Sequence, residues 1–142
     1  MPDGGRGPGL LVDTSVAVAL VVADHEHHET AFSALGERRL GLAGYAAFET
    51  FSVLTRLPSP ARRTAATVAR LLAASFPHSK FLGVRAATSL LAELGALGIA
   101  GGAVYDALVG ACAKEHGLVL ATRDRRALET YRALGVSVEL VL

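Results

Sequence analysis

The sequence predicts an α/β protein in which a central, mainly parallel sheet lies between two layers of helices. Short apolar runs rich in Leu and Val alternate along the chain with longer stretches that carry helix caps. Such alternation predicts a parallel sheet, because a helix must return the chain to the edge where each strand begins. The chain has 142 residues, of which 51% are apolar, and shows no internal repeat. We therefore expect one domain, a three-layer α/β/α sandwich.

The predicted strands are short apolar runs bounded by polar residues or glycine. The first run, Leu-Leu-Val, is followed directly by an acid, and the last alternates apolar and polar positions. In order, the five predicted strands cover residues 10–12, 39–43, 80–84, 118–121 and 136–141.

The predicted helices lie between these strands and are bounded by residues that start or stop helices. Thr14 and Ser15 offer a cap for the first helix. Pro58 stops the third and Pro60 opens the fourth, because proline is favoured in a first helical turn. Gly117 ends the sixth. In order, the seven predicted helices cover residues 14–23, 29–35, 45–57, 60–74, 88–97, 103–116 and 124–134.

Four acidic residues lie where a carboxylate is out of place. Asp13 and Asp124 each follow a predicted strand, so we expect both at the carboxyl edge of the sheet, where open α/β folds place their sites. Glu49 interrupts an apolar helix, and Asp106 lies in the first turn of another beside small residues that leave room for a ligand. A carboxylate near a core is costly unless something neutralises it. The four acids therefore predict one shared site.

Metal binding is the chemistry that best accounts for four clustered acids. Two carboxylates about 4 Å apart repel by roughly 1 to 4 kcal/mol at effective dielectrics of about 80 to 20. Four together therefore bind protons or attract a divalent cation. Oxygen ligands suit Mg²⁺, with Mn²⁺ as a substitute, and such ions activate water against a phosphodiester. This pattern favours a metal-dependent nuclease; the alternative is that the acids serve only as caps, turns and surface charges.

The four acids lie in four sequence blocks. These are residues 11–15 (LVDTS), 49–54 (ETFSVL), 105–113 (YDALVGACA) and 117–124 (GLVLATRD). In order and spacing the blocks resemble the PIN-domain ribonucleases, in particular the VapC-type toxins of bacterial toxin–antitoxin pairs. The resemblance covers nearly all of residues 9–142, and four blocks in order are far more specific than a single Asp-Thr-Ser.

This resemblance implies residue roles, an activity and partners. The acidic metal-binding and catalytic set of the family corresponds to Asp13, Glu49, Asp106 and Asp124. Ser15 and Thr122 match its polar companions. The implied activity is Mg²⁺-dependent endonucleolytic cleavage of RNA, commonly a tRNA or rRNA, which inhibits translation and growth. The implied partners are a cognate VapB-type antitoxin and a second copy of the chain, as a homodimer, a heterotetramer or a larger assembly.

The chain departs from the family pattern just after Asp124. Many relatives continue with a further acid and then an aromatic residue, where this chain has Arg126 and Ala127. Because Arg is well suited to binding phosphate, we expect RNA contacts from basic residues. These are Arg123, Arg125, Arg126 and Arg56. Few residues are aromatic, which favours recognition of a folded RNA shape over base stacking.

Two further features have less specific interpretations. His25, His27 and His28 could bind a transition metal, but no second cluster completes a site, so a solvated helix start that lines the RNA approach is favoured. By analogy with the family, an apolar groove between the helices at residues 45–57 and 60–74 is the expected antitoxin site.

Composition excludes several classes of protein. The net charge of +1 is too small for bulk attraction to nucleic acid, so RNA binding requires a local basic surface. One cysteine, Cys112, excludes an internal disulfide and a multi-cysteine zinc site. With no recognisable targeting signal or bilayer-length apolar run, we expect a cytoplasmic protein without membrane contact. Residues 1–8, rich in Gly and Pro, are expected to form a disordered tail before the PIN domain at residues 9–142.

Three other functions are weighed against a nuclease toxin. A PIN-like module that binds RNA or protein without cutting would be favoured by loss of one acid, and all four are present. A housekeeping RNA-processing nuclease would share the same site, and only a neighbouring antitoxin gene separates it from a toxin. A phosphatase-like enzyme with Asp13 as nucleophile would need a second Asp two positions on, and Ser15 stands there.

Overall fold

The computed structural model describes residues 9–142, so the predicted disordered tail at residues 1–8 lies outside the described residues. Four strands form one sheet: β1 (Leu10–Val12), β2 (Leu40–Leu42), β3 (Val119–Thr122) and β4 (Val138–Leu140). Their order across the sheet is β2-β1-β3-β4, and all three pairings are parallel. The predicted parallel sheet is confirmed.

Helices connect the strands. They are α1 (Thr14–Val21), α2 (His28–Leu35), α3 (Tyr45–Thr55), α4 (Ala65–Ser75), α5 (Val84–Leu97), α6 (Ala103–Glu115) and α7 (Leu128–Ala133), with a short 3-10 helix at Arg125–Ala127. Each predicted helix is present, with boundaries that differ by one to a few residues.

The helices form two layers, one on each face of the sheet. Successive strand residues point to opposite faces, so Leu10 and Val12 pack in one core with helices α1 to α4, whereas Leu11 packs in the other. That second core contains buried residues of α5, α6 and α7, including Leu90 and Tyr131. The three-layer α/β/α architecture is confirmed.

The predicted strand at residues 80–84 is wrong. Of residues 80–84, only Lys80 pairs with the sheet, through a parallel bridge to Ala43. The chain then turns away, and the apolar side chain of Leu82 packs in the core beneath α5 and α6 instead of in the sheet. Helix α5 consequently begins at Val84 and not at residue 88, and the Thr88 hydroxyl donates to the Val84 carbonyl within the helix (2.9 Å).

Two predicted helix starts are also wrong. Helix α4 begins at Ala65 and not at Pro60, because the Thr64 side chain accepts a hydrogen bond from the amide of Thr67 (3.2 Å) and caps the helix. Helix α1 is capped by Asp13 instead of Thr14 or Ser15. A carboxylate at the residue before the first helical turn is a strong cap, because it accepts a hydrogen bond from a backbone amide that has no partner within the helix.

A glycine directs the chain from β2 into α3, the helix that carries Glu49. Gly44 has φ +53°, a left-handed conformation that residues with a side chain rarely adopt. A Cβ there would also lie 3.2 Å from the Cβ of Cys112. The turn therefore brings α3 close to α6, the helix that carries Asp106.

Cys112 is a buried core residue. Its thiol donates to the Lys80 carbonyl (3.3 Å), and burial raises the pKa of the thiol to about 12. Within residues 9–142, no helix combines the length and the apolar composition that crossing a bilayer requires.

Candidate active site

The site is built at the carboxyl edge of two neighbouring strands. Strands β1 and β3 pair with Val12 opposite Ala121, so Asp13, which follows β1, lies beside Thr122, the last residue of β3. The Thr122 hydroxyl donates a short hydrogen bond to Oδ2 of Asp13. The sequence-based placement of Asp13 at this edge is therefore what the structure shows.

Four donors hold the Asp13 carboxylate, which is only 5% exposed. Oδ1 accepts from the Ser15 hydroxyl (2.6 Å) and from the amide of Val16 (3.3 Å). Oδ2 accepts from the hydroxyls of Thr122 and Tyr131. Burial raises the pKa of Asp13, whereas these hydrogen bonds act against that rise because they stabilise the ionised form. The orientation of the carboxylate is thus set by its surroundings.

Tyr131 is a site residue that the sequence analysis missed. It lies in α7, is 1% exposed, and its hydroxyl is 3.0 Å from Oδ2 of Asp13. Burial and then the negative charge of Asp13 raise the pKa of the phenol, so it stays protonated and donates. One signal was available, because a tyrosine at an interior helix position needs a partner for its hydroxyl.

Ser15 and Thr122 connect Asp13 to the segment that carries Asp124. Each hydroxyl donates to Asp13, and each oxygen accepts from a backbone amide: Ser15 from Arg123 (2.9 Å) and Thr122 from Asp124 (3.0 Å). The two predicted companions therefore position the Asp124 segment relative to Asp13.

Glu49 reaches the site from α3 and is bound by a second residue that the sequence analysis missed. The Thr14 hydroxyl donates to Oε1 of Glu49 (2.9 Å). The Thr14 oxygen in turn accepts from Thr50 (3.4 Å), which is fully buried in α3. Glu49 itself is exposed, so the hydrogen bond from Thr14 is what fixes the direction of its side chain.

The four acids line one cavity of about 230 Å³. Its walls are Asp13, Thr14, Ser15, Glu49, Asp106, Val109, Asp124 and Tyr131. The pKa of Asp106 is raised to about 6, first by burial and then by the negative charges of Asp124, Asp13 and Glu49, while Arg126 acts against the rise. The structure therefore brings the four predicted acids together closely enough to repel one another.

The cavity offers oxygen donors and an excess of negative charge, which is what a hard divalent cation requires. In the side-chain arrangement of residues 9–142, no three acidic, His or Cys side chains already form a metal-binding group. Asp13 uses both oxygens for hydrogen bonds, and one oxygen of Asp124 accepts from the amide of Arg126 (2.9 Å). The donor set fits a cation in composition, and coordination requires rotation of the more exposed carboxylates.

The four predicted RNA-binding arginines occupy different positions. Arg126 borders the acids, with Nε 3.5 Å from Oδ1 of Asp124 and a side chain 93% exposed, and Arg125 is exposed beside it. Arg123 has its Nε buried without a hydrogen-bond partner among the described residues. Arg56 donates to the Ser52 hydroxyl (3.3 Å) and lies two helical turns beyond Glu49, roughly 10 Å along the axis.

The histidine-rich stretch forms a turn outside the acidic cavity. His28 bonds to the Ala19 carbonyl through Nδ1 (2.9 Å), and Nδ1 of His25 accepts from the amide of His27 (3.1 Å). Burial lowers the pKa of His25, and the nearby charge of Arg123 lowers it further. The contacts are those of a structural turn next to the segment that carries Arg123.

The chain is similar to known proteins over most of its length. The PIN domain family model matches residues 10–133. Ribonuclease VapC27 of Mycobacterium tuberculosis is 46% identical over 131 residues, which cover 92% of this chain and 96% of the relative. Ribonuclease VapC40 of the same organism is 47% identical over 134 residues, which cover 93% of this chain and 98% of the relative.

Solved structures share the fold at low sequence identity. DNA-bound VapBC from Salmonella typhimurium superposes with a TM-score of 0.68 and 21% identity, covering 96% of this chain and 100% of that chain. VapBC2 from Rickettsia felis, bound to a promoter DNA fragment, gives a TM-score of 0.66 and 12% identity, covering 94% of this chain and 98% of that chain. Family match, close relatives and fold agree, and the chain belongs to the PIN domain family.

Proposed function

We propose that this protein is a metal-dependent endoribonuclease and the toxin of a VapBC-type toxin–antitoxin pair. The observation that carries the proposal is the convergence of four carboxylates on one cavity, with Asp13 held by four donors. Two relatives that cover almost the whole chain are named ribonucleases, which supports RNA as the substrate. The implied substrate is a tRNA or an rRNA.

The four carboxylates have different tasks in this proposal. Mg²⁺, or Mn²⁺ in its place, would activate a water molecule and offset the charge that builds on the scissile phosphodiester. Asp13 would anchor the cation site, because its oxygens cannot turn without breaking four hydrogen bonds. Glu49 and Asp124 are more exposed than Asp13 and would complete the ligand set together with Asp106, which lines the same cavity.

Ser15, Thr122 and Tyr131 act through Asp13 and are positioning residues. Each of the three donates a hydrogen bond from its hydroxyl to the Asp13 carboxylate. These hydrogen bonds favour the ionised carboxylate that a cation needs. Arg126 lies at the border of the cavity with an exposed guanidinium, where it can bind RNA phosphate. Arg125 and Arg123 adjoin it in sequence, and Arg56 is further away.

The direct test is cleavage of tRNA and rRNA by the purified protein in Mg²⁺, in Mn²⁺ and in EDTA. We expect cleavage with either ion and none in EDTA. D13N and D106N should each lower kcat by a hundredfold or more, on the order of the loss of one essential catalytic group. D24N is the matched control, because Asp24 is an exposed acid outside the cavity. Cleavage in EDTA, or wild-type rates in both site variants, would contradict the mechanism.

We also propose that the antitoxin binds an apolar groove on the layer formed by α3 and α4. The groove has a volume of about 390 Å³ and is lined by side chains that include Phe48, Phe51 and Leu72. Phe48 is 65% exposed although it is a large apolar residue, and an exposed apolar patch of this kind marks an interaction surface. The name VapBC of the structural neighbours supports a partner of the VapB class.

F48D tests the antitoxin site without touching the carboxylates. We expect F48D to cut RNA like the wild type and to resist inhibition by a cognate VapB-type antitoxin. F32D is the matched control, because Phe32 is 56% exposed and lies outside the groove. Full inhibition of F48D would place the antitoxin elsewhere. Sedimentation of the protein alone and with antitoxin would establish whether it is a homodimer or part of a heterotetramer.

A further inference from the structure

A second cavity adjoins the acidic one. It has a volume of about 420 Å³ and shares Glu49, Asp106 and Asp124 with the first cavity. Ligand-binding pockets typically measure about 300 to 1,000 Å³. Because three walls are common to both cavities, a ligand whose phosphate lies among the acids extends naturally into the second one.

Two of the residues that line the second cavity are tyrosines. Tyr45 opens α3 and Tyr105 lies in the first turn of α6, with ring centroids 5.1 Å apart and planes inclined by 32°. Tyr45 packs against the core, whereas Tyr105 is 52% exposed. Tyr105 is thus an exposed aromatic residue whose ring contacts a second, partly buried ring, and such a residue can serve as a platform for base stacking.

The rest of the cavity leaves space and supplies a cation. A Cβ built on Gly102 would meet no atom within 4 Å, so the cavity is open at this position. Arg126 lines the cavity with its guanidinium exposed, and its plane can stack on a base or bind a phosphate. An aromatic ring, an open wall and an arginine are thus next to the acids.

We propose that this second cavity is a nucleobase subsite, in which the unpaired base next to the scissile phosphate stacks on Tyr105. The proposal rests on the proposed ribonuclease function and adds the part of the substrate that the site recognises. A neutral base is tolerated beside three carboxylates, because it carries no net charge for them to repel. The low aromatic content had favoured recognition of RNA shape, but two of the three tyrosines lie together at this one place.

Abasic nucleotides test the stacking directly. Short RNA substrates are prepared with one base removed at each position around the cut, and kcat/KM is measured for the wild type, Y105A and Y105F. Loss of a base stacked on an aromatic ring costs about 5- to 150-fold. We expect one abasic position to cause a loss of this size in the wild type and in Y105F. In Y105A, kcat/KM for the intact substrate should already be lower by this factor, and removal of that base should cause no further decrease.

A binding measurement separates the subsite from the cleavage reaction. The protein has three tyrosines and no tryptophan, so its fluorescence comes from tyrosine. In EDTA, the single-stranded hexaribonucleotides of A, C, G and U are added one at a time, and at least one of them should quench the tyrosine fluorescence of the wild type. A stacked base quenches the ring that it covers, so Y105A should lose this quenching. F32A is the control for loss of an exposed aromatic residue elsewhere.

The outcomes are distinct. Quenching that depends on Tyr105 supports the subsite even if no RNA is cut, a result that would overturn only the ribonuclease function. Equal abasic losses in the wild type and Y105A, or no effect of Y105A on any substrate, would overturn the subsite. Unchanged RNA kinetics with weakened antitoxin binding in Y105A would likewise overturn it and would assign this surface to a protein partner.

Discussion

Replacement of Asp106 by Asn is expected to stabilise the metal-free protein while it abolishes cleavage. Asp106 lies among three other carboxylates, and both burial and their charges oppose its ionisation. Asn has nearly the same shape and cannot ionise, so it removes the repulsion without leaving a cavity. A catalytic residue that destabilises the fold is common where function requires clustered charge.

The size of the effect follows from the pKa. The pKa of Asp106 rises from 3.8 to about 6. Each pKa unit corresponds to about 1.36 kcal/mol, so the full cost of ionisation is about 3 kcal/mol. Asp106 is partly exposed, and solvent screens its charge. We therefore expect D106N to raise the free energy of unfolding by about 1 to 3 kcal/mol.

The contribution of Asp106 to stability becomes less favourable as the pH rises. At a pH below the pKa that Asp106 has in the unfolded chain, the carboxyl is protonated in both the folded and the unfolded protein. Asp106 then does not lower the free energy of unfolding. Between that value and the folded pKa of about 6, the folded protein binds more protons, and its stability falls as the pH rises. At a pH above the folded pKa, Asp106 is ionised in both states, and the full cost of ionising it in the cavity lowers the stability of the folded protein. The advantage of D106N should therefore be small near about pH 4 and complete by about pH 8.

Urea unfolding in EDTA at these two pH values measures the difference. D24N serves as the matched control, since it removes one negative charge from an exposed position outside the cavity. Addition of Mg²⁺ should reverse the order of stability, because the ion binds only the folded wild-type site. A D106N protein that is no more stable than the wild type near about pH 8 in EDTA would refute the inferred repulsion.

Three further predictions concern the neighbours of the acids. Y131F should lower the free energy of unfolding by about 1 kcal/mol in urea and should reduce kcat, since Asp13 loses one of its donors; unchanged values would exclude a positioning role. T14V should raise the Mg²⁺ concentration for half-maximal cleavage, because Glu49 loses its hydroxyl donor; an unaltered Mg²⁺ titration would argue against Glu49 as a ligand. R126A should raise KM for RNA more than R56A does, with a steeper effect at low salt, because only Arg126 borders the acids; equal effects would contradict that placement.

Local patterns in the sequence were enough to identify the acids and most elements. Asp13 and Asp124 follow strands because apolar runs of three or four residues end there, and the structure has both at the predicted edge. Helix ends were less predictable, because competing caps lie close together. Thr64 starts α4 in place of Pro60, for example, and that choice depends on which side chain reaches an unbonded amide.

Contacts between distant residues required the tertiary structure. Tyr131 is 118 positions from Asp13 along the chain, and Thr122 is 109 positions from it. Both meet Asp13 because β1 and β3 pair in one register and α7 packs beneath them. Sequence spacing within a helix or strand constrains only near neighbours, so it contains no information about such contacts.

The amino-acid sequence alone determined the type of chemistry, through four acids in the order and spacing of the PIN-domain family, and it determined the alternation of strands and helices that makes the sheet parallel. The tertiary structure decided which side chains hold those acids and what surrounds them. In the folded chain, Tyr131 is hydrogen-bonded to Asp13 and Thr14 to Glu49. The Nε of Arg123 is buried, and Tyr105 lies beside the acids. The physical reason is that local propensity selects elements, whereas the packing of distant elements sets the surroundings of each side chain.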